Sequence, residues 1–226
     1  MADAPATAGA LKLVVADNCP FCHRCVLVLV EKGIPFTGVA VDLTRKVEVK
    51  HLLSPYGRVP VLWHDDHPVF ESSVICEYLD EVFPTPPLLP ETAERRAAAR
   101  FWIDFCNTRF MPAYFNLLKE RNPALRASLR DKLMDHLEFM NGIGLSAHGD
   151  AGRYWMGDEV SLVDYAFYPF FERFASVEVY RGITVPDGHG RLYAWLDAMR
   201  ERGPVRSLAR PRTHYVEYFK YYADRP

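Results

Sequence analysis

The densest chemistry in the chain lies in Asn18-Cys19-Pro20-Phe21-Cys22-His23-Arg24-Cys25, which sets three thiols, an imidazole and a guanidinium within eight positions. Cys19 stands out because Pro20 follows it. Proline suits the first position of a helix, where its fixed φ fits and its missing N–H is not needed. A thiol just ahead of it faces the helix's unpaired amides and the positive end of its dipole. Both favour thiolate over thiol and lower a cysteine pKa that starts near ~8.5. The stretch reads as a reactive-thiol site with Cys19 as nucleophile.

Rival uses of these cysteines each lack a part. Cys-x-x-Cys-His matches a c-type haem attachment signature, but that chemistry needs an exported protein, and residues 1–10 have neither a basic start nor an apolar centre. An iron–sulfur run would need a fourth cysteine where Leu29 stands. Zinc would have to recruit distant Cys76 or Cys106, both in apolar helix-like stretches. No metal and no haem are therefore expected. The redox reading needs only a cysteine at a helix start after a strand, a second cysteine one turn on, and a βαβ context. Cys19 as a mere small core residue fits poorly between Asn and Pro. Cys22 has two open readings, resolving a disulfide or simply packing. Cys25, Cys76 and Cys106 are expected in the core, His23 at the surface, and Arg24 as an ion-pair partner.

The elements that must position Cys19 follow from periodicity. Residues 11–16 read as a buried strand, Asp17-Asn18 as a turn, and 20–32 as a helix closed by Gly33 as its left-handed cap. Residues 36–42 read as a strand and 45–53 as a short, weaker helix ending before Pro55. Ser54-Pro55-Tyr56-Gly57 makes a turn, 59–63 a strand, 65–68 a tight reversal and 69–71 a partner strand. Ser72 or Ser73 then caps a helix with Val74, Ile75, Tyr78, Leu79 and Val82 at helical spacing. The order is βαβαββα.

Pro84, Pro86, Pro87 and Pro90 then crowd a segment that can carry neither helix nor ladder. The organisation expected is a loose tail over 1–9, an α/β domain over 10–83, a linker over 84–90 and an all-α domain over 91–226. Helix signals cover 91–119 and 123–140, and 141–153 reads as Gly-rich loop. Ser161-Leu162-Val163-Asp164 is a capping-box variant, with Val160 set to staple against Tyr165. The helix it opens is apolar nearly all round, so it is expected at the centre of the second domain, kinked at Pro169. Helix signals return over 189–202 and 204–210, ahead of an aromatic tail.

At 226 residues and 49% hydrophobic the chain can fill a real core, and a net charge of −2 with a pI near 6.4 gives no reason to expect nucleic acid or an anionic membrane as partner. No apolar run approaches the ~20 residues that span a bilayer. Five cysteines, an odd count, favour a reducing compartment, and the expected location is cytoplasmic.

Cys19-Pro20-Phe21 with Arg24, Ser54-Pro55-Tyr56-Gly57 with Val59-Pro60-Val61-Leu62, and Phe70-Glu71-Ser72 resemble a cytosolic glutathione transferase, most closely the omega class. The similarity continues through Cys76-Glu77-Tyr78-Leu79-Asp80-Glu81, Leu88-Leu89-Pro90, and Asp164-Tyr165 to Phe171-Glu172-Arg173. The resemblance implies a thioredoxin-like N-terminal domain, an all-helical C-terminal domain, a homodimer, and glutathione as co-substrate. It also implies a cis peptide before Pro60, with Val59 and Pro60 presenting backbone to the cysteinyl part of glutathione as an added strand would. Glu71 would take the γ-glutamyl ammonium, and Ser72 with its helix N-terminus the adjoining carboxylate. Lys46 would meet the glycyl carboxylate, and Phe21 and Leu43 would line the site. Animal omega enzymes typically carry a small residue where this chain has Cys22, which opens a dithiol variant.

The activity so implied is glutathione-dependent thiol transfer, with Cys19 forming a mixed disulfide that a second glutathione resolves. Dehydroascorbate reduction and removal of glutathione from aryl-ketone conjugates would use the same thiolate. Phe110, Tyr114, Phe115 and Tyr218 could wall an apolar pocket for an aromatic acceptor, or instead fill the helical core. Two rivals remain: a glutathione lyase acting on aromatic thioethers, and a non-catalytic regulatory protein on the same scaffold.

Overall fold

The computed structural model describes residues 9–147 and 152–224, the side chains of Lys46 and Ala147 excepted. It divides between Pro86 and Pro87 into two compact units. Of the tail expected over residues 1–9, residues 1–8 lie outside the described residues.

The first unit builds the predicted order. β1 (Leu11–Val15), α1 (Pro20–Glu31) and β2 (Thr37–Ala40) form a right-sized βαβ unit, and β1 and β2 pair in parallel, with Val14 opposite Val39. β3 (Val61–His64) runs antiparallel to β1, β4 (His67–Phe70) pairs antiparallel with β3, and the sheet order is β2-β1-β3-β4. This is a thioredoxin-like sheet. The reversal is tighter than the sequence suggests. Asp65 takes a left-handed backbone, φ 53°, and frees His67 and Pro68 to join β4.

After β2 the expected weak helix resolves into single turns, Leu43–Arg45, Lys46–Val49 (α2) and Lys50–Leu52. Four to nine residues give too few turns to offset helix nucleation. α3 (Ser72–Val82) starts one or two residues earlier than a cap at Ser72 or Ser73 implies. Its N-cap is Glu71, with φ 64°, and no side chain caps it. α1 and α3 pack side by side. Lys32, at the end of α1, donates its Nζ to the carbonyls of Phe83 and Pro86 and pairs with Asp80 at 2.6 Å. Its buried ammonium thus finds three oxygens, the condition for holding a charge out of water. His23, expected at the surface, is instead buried on α1.

The second unit is helical. α4 (Ala93–Phe105) and α5 (Met111–Lys119) are joined without a break by a π-helical turn at Cys106–Phe110, and α6 (Pro123–Phe139) runs through another at Met140–Gly144 into α7 (Leu145–Ala147). The expected loop over 141–153 is therefore helical through Ala147. Gly144 is there for close packing rather than for a turn, since a Cβ would sit 2.9 Å from the ring of Trp155. α8 (Leu162–Glu172) buries every residue from Leu162 to Phe171 and forms the centre of the unit. Each of its large apolar side chains contributes about 1.5–3 kcal/mol on burial.

α9 (Ala175–Arg181) carried no strong signal, although Gly182 caps it with φ 65°. α10 (Gly190–Glu201) and α11 (Gly203–Leu208) follow, and the aromatic tail is a helix, α12 (Arg212–Asp224). Its helicity rests on packing against α5 and α9, which no local pattern reveals. No helix among the described residues is long and apolar enough to cross a membrane.

Candidate functional site

Cys19 is the N-cap of α1. Its backbone is extended, φ −71° and ψ 117°, its carbonyl accepts the first helical bond from the His23 N–H at 3.1 Å, and Pro20 holds the first turn. No side chain caps this N-terminus. Asn18 before it takes φ 58°, a conformation Asn tolerates better than most residues, and this sharp turn delivers the cysteine from the strand end to the helix start. The Cys19 side chain is half-buried against a cluster that includes Val14, Cys22, Val59 and Val61, with Leu43 and Phe70 packed on the same cluster.

A cleft in the same unit is lined by Phe21, Ser54, Arg58, Val59, Pro60, Glu71 and Ser72. The Val59–Pro60 peptide is cis. At the mouth, the left-handed backbone of Glu71 swings its carboxylate into solvent while Ser72 turns inward and is buried. Ser72 is the first residue of α3, not its cap, and its Oγ accepts from Nη1 of Arg24 at 3.2 Å. Because that acceptor position is taken by a permanent cation, the hydroxyl proton of Ser72 points elsewhere and is available to an anion. Arg24 is buried on α1, and its guanidinium also sits 5.1 Å from the ring centroid of Phe21. One side chain thus holds two parts of the cleft wall.

The cleft combines one carboxylate, one guanidinium, two hydroxyls and an apolar floor. That set suits a small zwitterionic, peptide-like ligand. Of the expected glutathione-site residues, the structure brings Phe21, Val59, Pro60, Glu71 and Ser72 together here, with Leu43 on the adjoining cluster. The side chain of Lys46 lies outside the described residues. Cys22 is buried one turn along α1 from Cys19. All five cysteines are thiols, and among the described residues no group of three or more His, Cys, Asp or Glu could hold a metal ion.

Ser54 and Arg58 were missed. Ser54 closes the turn before β3: its N–H donates to the Arg58 carbonyl at 3.0 Å, and its Oγ accepts from the Arg58 N–H at 3.2 Å. The turn read at Ser54-Pro55-Tyr56-Gly57 held the signal, and it needed following one residue further to reach Arg58.

Family models for the N-terminal and C-terminal domains of glutathione S-transferase match residues 18–82 and 123–198. The rice (Oryza sativa subsp. japonica) glutathione S-transferase GSTU1 is 34% identical over 78% of this chain and 79% of its own. The chain belongs to the glutathione transferase family. Glutathione S-transferase omega-1 of Sus scrofa is 28% identical over 90% of this chain and 82% of its own. The crystal structure of rice GST1 in complex with glutathione superposes with a TM-score of 0.82 at 27% identity, covering 95% of this chain and 96% of that one. The similarity thus reaches omega-named and plant U-named glutathione transferases alike, and it fixes the family rather than the class.

In this glutathione transferase the four aromatic residues considered for an acceptor pocket separate. Phe110 and Tyr114 are fully buried in the helical unit: Phe110 stacks on Phe171 with centroids 5.4 Å apart, and the Tyr114 hydroxyl donates to the Arg173 carbonyl at 2.8 Å. Burial raises the Tyr114 pKa well above its ordinary value, so it stays neutral. These two rings fill core, the second of the two readings. Phe115 is half-buried and Tyr218 is 36% exposed, and these are the two with surface to offer.

Proposed function

We propose that the protein is an omega-type, glutathione-dependent thiol transferase with Cys19 as nucleophile. The observation that carries this reading is a half-buried thiol at the uncapped N-terminus of α1, in the same unit as a cleft lined by Glu71 and Ser72. Glu71 takes the γ-glutamyl ammonium of glutathione. Ser72 and the first amides of α3 take the adjoining carboxylate. The Val59 backbone pairs with the cysteinyl residue, and Arg58, with Lys46, receives the glycyl carboxylate.

The chemistry is two thiol–disulfide exchanges. The Cys19 thiolate attacks the glutathione sulfur of a glutathionylated substrate, the S–S bond breaks, and the substrate leaves as a thiolate that takes a proton. A second glutathione thiolate then attacks the glutathione sulfur of the mixed disulfide, forming glutathione disulfide and returning Cys19 as thiolate. The α1 N-terminus stabilises that thiolate both as nucleophile and as leaving group. Cys22, one turn on, supports a dithiol variant in which it displaces glutathione from Cys19 and closes an internal disulfide. A reducing, cytoplasmic setting and a homodimer belong to the same reading.

Cys19→Ser should lower transfer from a glutathionylated peptide on the order of 10³-fold, because a hydroxyl is a far weaker nucleophile without a base. Full activity in that variant would overturn the proposal. Intact mass after treatment with glutathione disulfide separates the branches. A glutathione adduct on wild type marks the monothiol route, and loss of two protons that Cys22→Ser abolishes marks the dithiol route.

A further inference from the structure

A second pair of thiols lies directly behind the cleft. Cys25, on the buried face of α1, and Cys76, one turn into α3, hold their sulfurs 3.9 Å apart, with Cys76 Sγ–H donating to Cys25 Sγ. Cys25 Sγ–H in turn donates to the carbonyl of Ser72 at 3.7 Å. Ser72 is thus gripped by α1 twice, at its carbonyl by Cys25 and at its hydroxyl by Arg24. Nothing in the thiol-transfer chemistry uses Cys25 or Cys76.

We propose that Cys25 and Cys76 are a second, buried dithiol that hydroperoxides oxidise to a disulfide, and that closing this bridge weakens glutathione binding through Ser72. The proposal rests on the reading of the cleft as the glutathione site. Three observations support the pair. The sulfurs already touch across two packed helices, so forming the bond asks for a shift of side chains and helices, not for unfolding. The bond length is about 2.05 Å, so the sulfurs must approach by about 1.9 Å. Cys76 retains slight exposure, 6%, where Cys25 has none, which makes Cys76 the entry point for a small uncharged oxidant. Burial, with the neighbouring Cys76 thiol, pushes the Cys25 thiol well up, so Cys25 rests as a thiol.

The steps balance. Cys76 sulfur attacks one oxygen of hydrogen peroxide, the O–O bond breaks, and water leaves with the Cys76 proton, giving a sulfenic acid. Cys25 sulfur then attacks the Cys76 sulfur, the S–O bond breaks, and a second water leaves with the Cys25 proton. Two thiols are oxidised by two electrons and one peroxide is reduced to two waters. Two molecules of glutathione reverse the change, becoming glutathione disulfide. Closure removes the S–H that Ser72 carbonyl accepts and draws α1 and α3 together beneath that residue. Binding groups must hold their geometry to within about 0.5 Å, so a strain of this size at Ser72 is felt by the ligand's carboxylate.

The test uses Cys19→Ser/Cys22→Ser protein, which leaves the buried pair as the only cysteines of the first unit. Protein is treated with hydrogen peroxide, quenched, and analysed by intact mass and peptide mapping, and glutathione affinity is measured by calorimetry before and after. The expected result is a loss of two protons mapped to a Cys25–Cys76 peptide, a tenfold or greater rise in Kd, and recovery of both on reduction. Adding Cys76→Ala, or Cys25→Ala should the first variant misfold, should abolish both changes. Two results overturn the proposal: Cys25 and Cys76 that stay alkylatable after peroxide, or a mapped bridge with unchanged affinity. If the reduced protein fails to bind glutathione at all, the site reading falls. Mass mapping then still decides whether the dithiol forms, and the proposed link to binding falls with the site.

Discussion

Two helix N-termini, one in each unit, receive opposite treatment. At α8, Asp164 closes the helix end with four donors: the N–H and Oγ of Ser161 at 2.7 Å each, the Trp155 N–H at 2.9 Å and Trp195 Nε1 at 2.7 Å. Every one of these groups is buried. At α3, no side chain caps the helix, Glu71 is held at φ 64° with its carboxylate in solvent, and the first turn borders the cleft. α1 is likewise uncapped at Cys19. Orphan amides at a helix start must be satisfied by something. Where a buried carboxylate closes the end the result is a rigid core; where no side-chain cap is made and a carboxylate and a thiol stand beside the end, the arrangement suits a ligand.

If that contrast is right, damage to the two ends should separate stability from binding. Asp164→Ala leaves four buried donors without their acceptor and should cost about 3–5 kcal/mol, a fall of roughly 10 °C in thermal midpoint, with glutathione KM unchanged in the molecules that remain folded. Asp164→Asn should lie between, since the amide keeps one acceptor and turns a donor toward Ser161. Burial raises the Asp164 pKa while its four hydrogen bonds lower it, with burial the larger effect. A wild-type-like midpoint in Asp164→Ala would sink the idea that this cluster holds the second unit together.

Ser72→Ala should do the reverse. It removes one hydrogen bond to a charged ligand group, worth about 1.5–3 kcal/mol, and so should raise the glutathione KM roughly 10- to 100-fold. The helix loses no cap, but buried Arg24 Nη1 loses its acceptor at Ser72, so the thermal midpoint should fall by about 2–4 °C, well short of Asp164→Ala. Arg24→Met extends the comparison: it should also raise KM by releasing the Ser72 hydroxyl, but at a cost in stability, because it also empties a buried position. A Ser72→Ala protein with unchanged KM and a lowered midpoint would show the α3 end to be structural, like that of α8.

The same contrast explains what could be read from the sequence. The element order of the first unit followed from periodicity and turn residues, and Cys19 declared itself because Pro20 marks a helix start within one residue of a thiol. The α8 closure was equally local, with Ser161 and Asp164 three positions apart. The α3 end was not. Two serines at a helix start look like caps, and only the positive φ of Glu71 shifts the cap away from them. Arg24 meets Ser72 across 48 positions, so neither partner announces the other. His23 is polar and buried, and Phe110 and Tyr114 carry the same composition whether they wall a pocket or fill a core. Burial decides both cases, and burial is set by the packing of distant segments.

An exposed, ordinary cap offers the finest test. Thr92 is the N-cap of α4, its Oγ1 accepting the Arg95 N–H at 3.3 Å. It resembles Ser161 in chemistry and in its N-cap position but lacks the buried carboxylate and the indole behind it, and unlike Ser72 it does not line the cleft described above. Thr92→Ala should therefore cost only about 1 kcal/mol, or roughly 2–4 °C in midpoint, and leave glutathione KM and kcat at wild-type values. Equilibrium denaturation and steady-state assays on the three alanine variants together place each helix end on two independent axes. If Thr92→Ala moved KM as far as Ser72→Ala does, KM would be reporting general loosening of the fold, and the distinction between closed and open helix ends would lose its meaning.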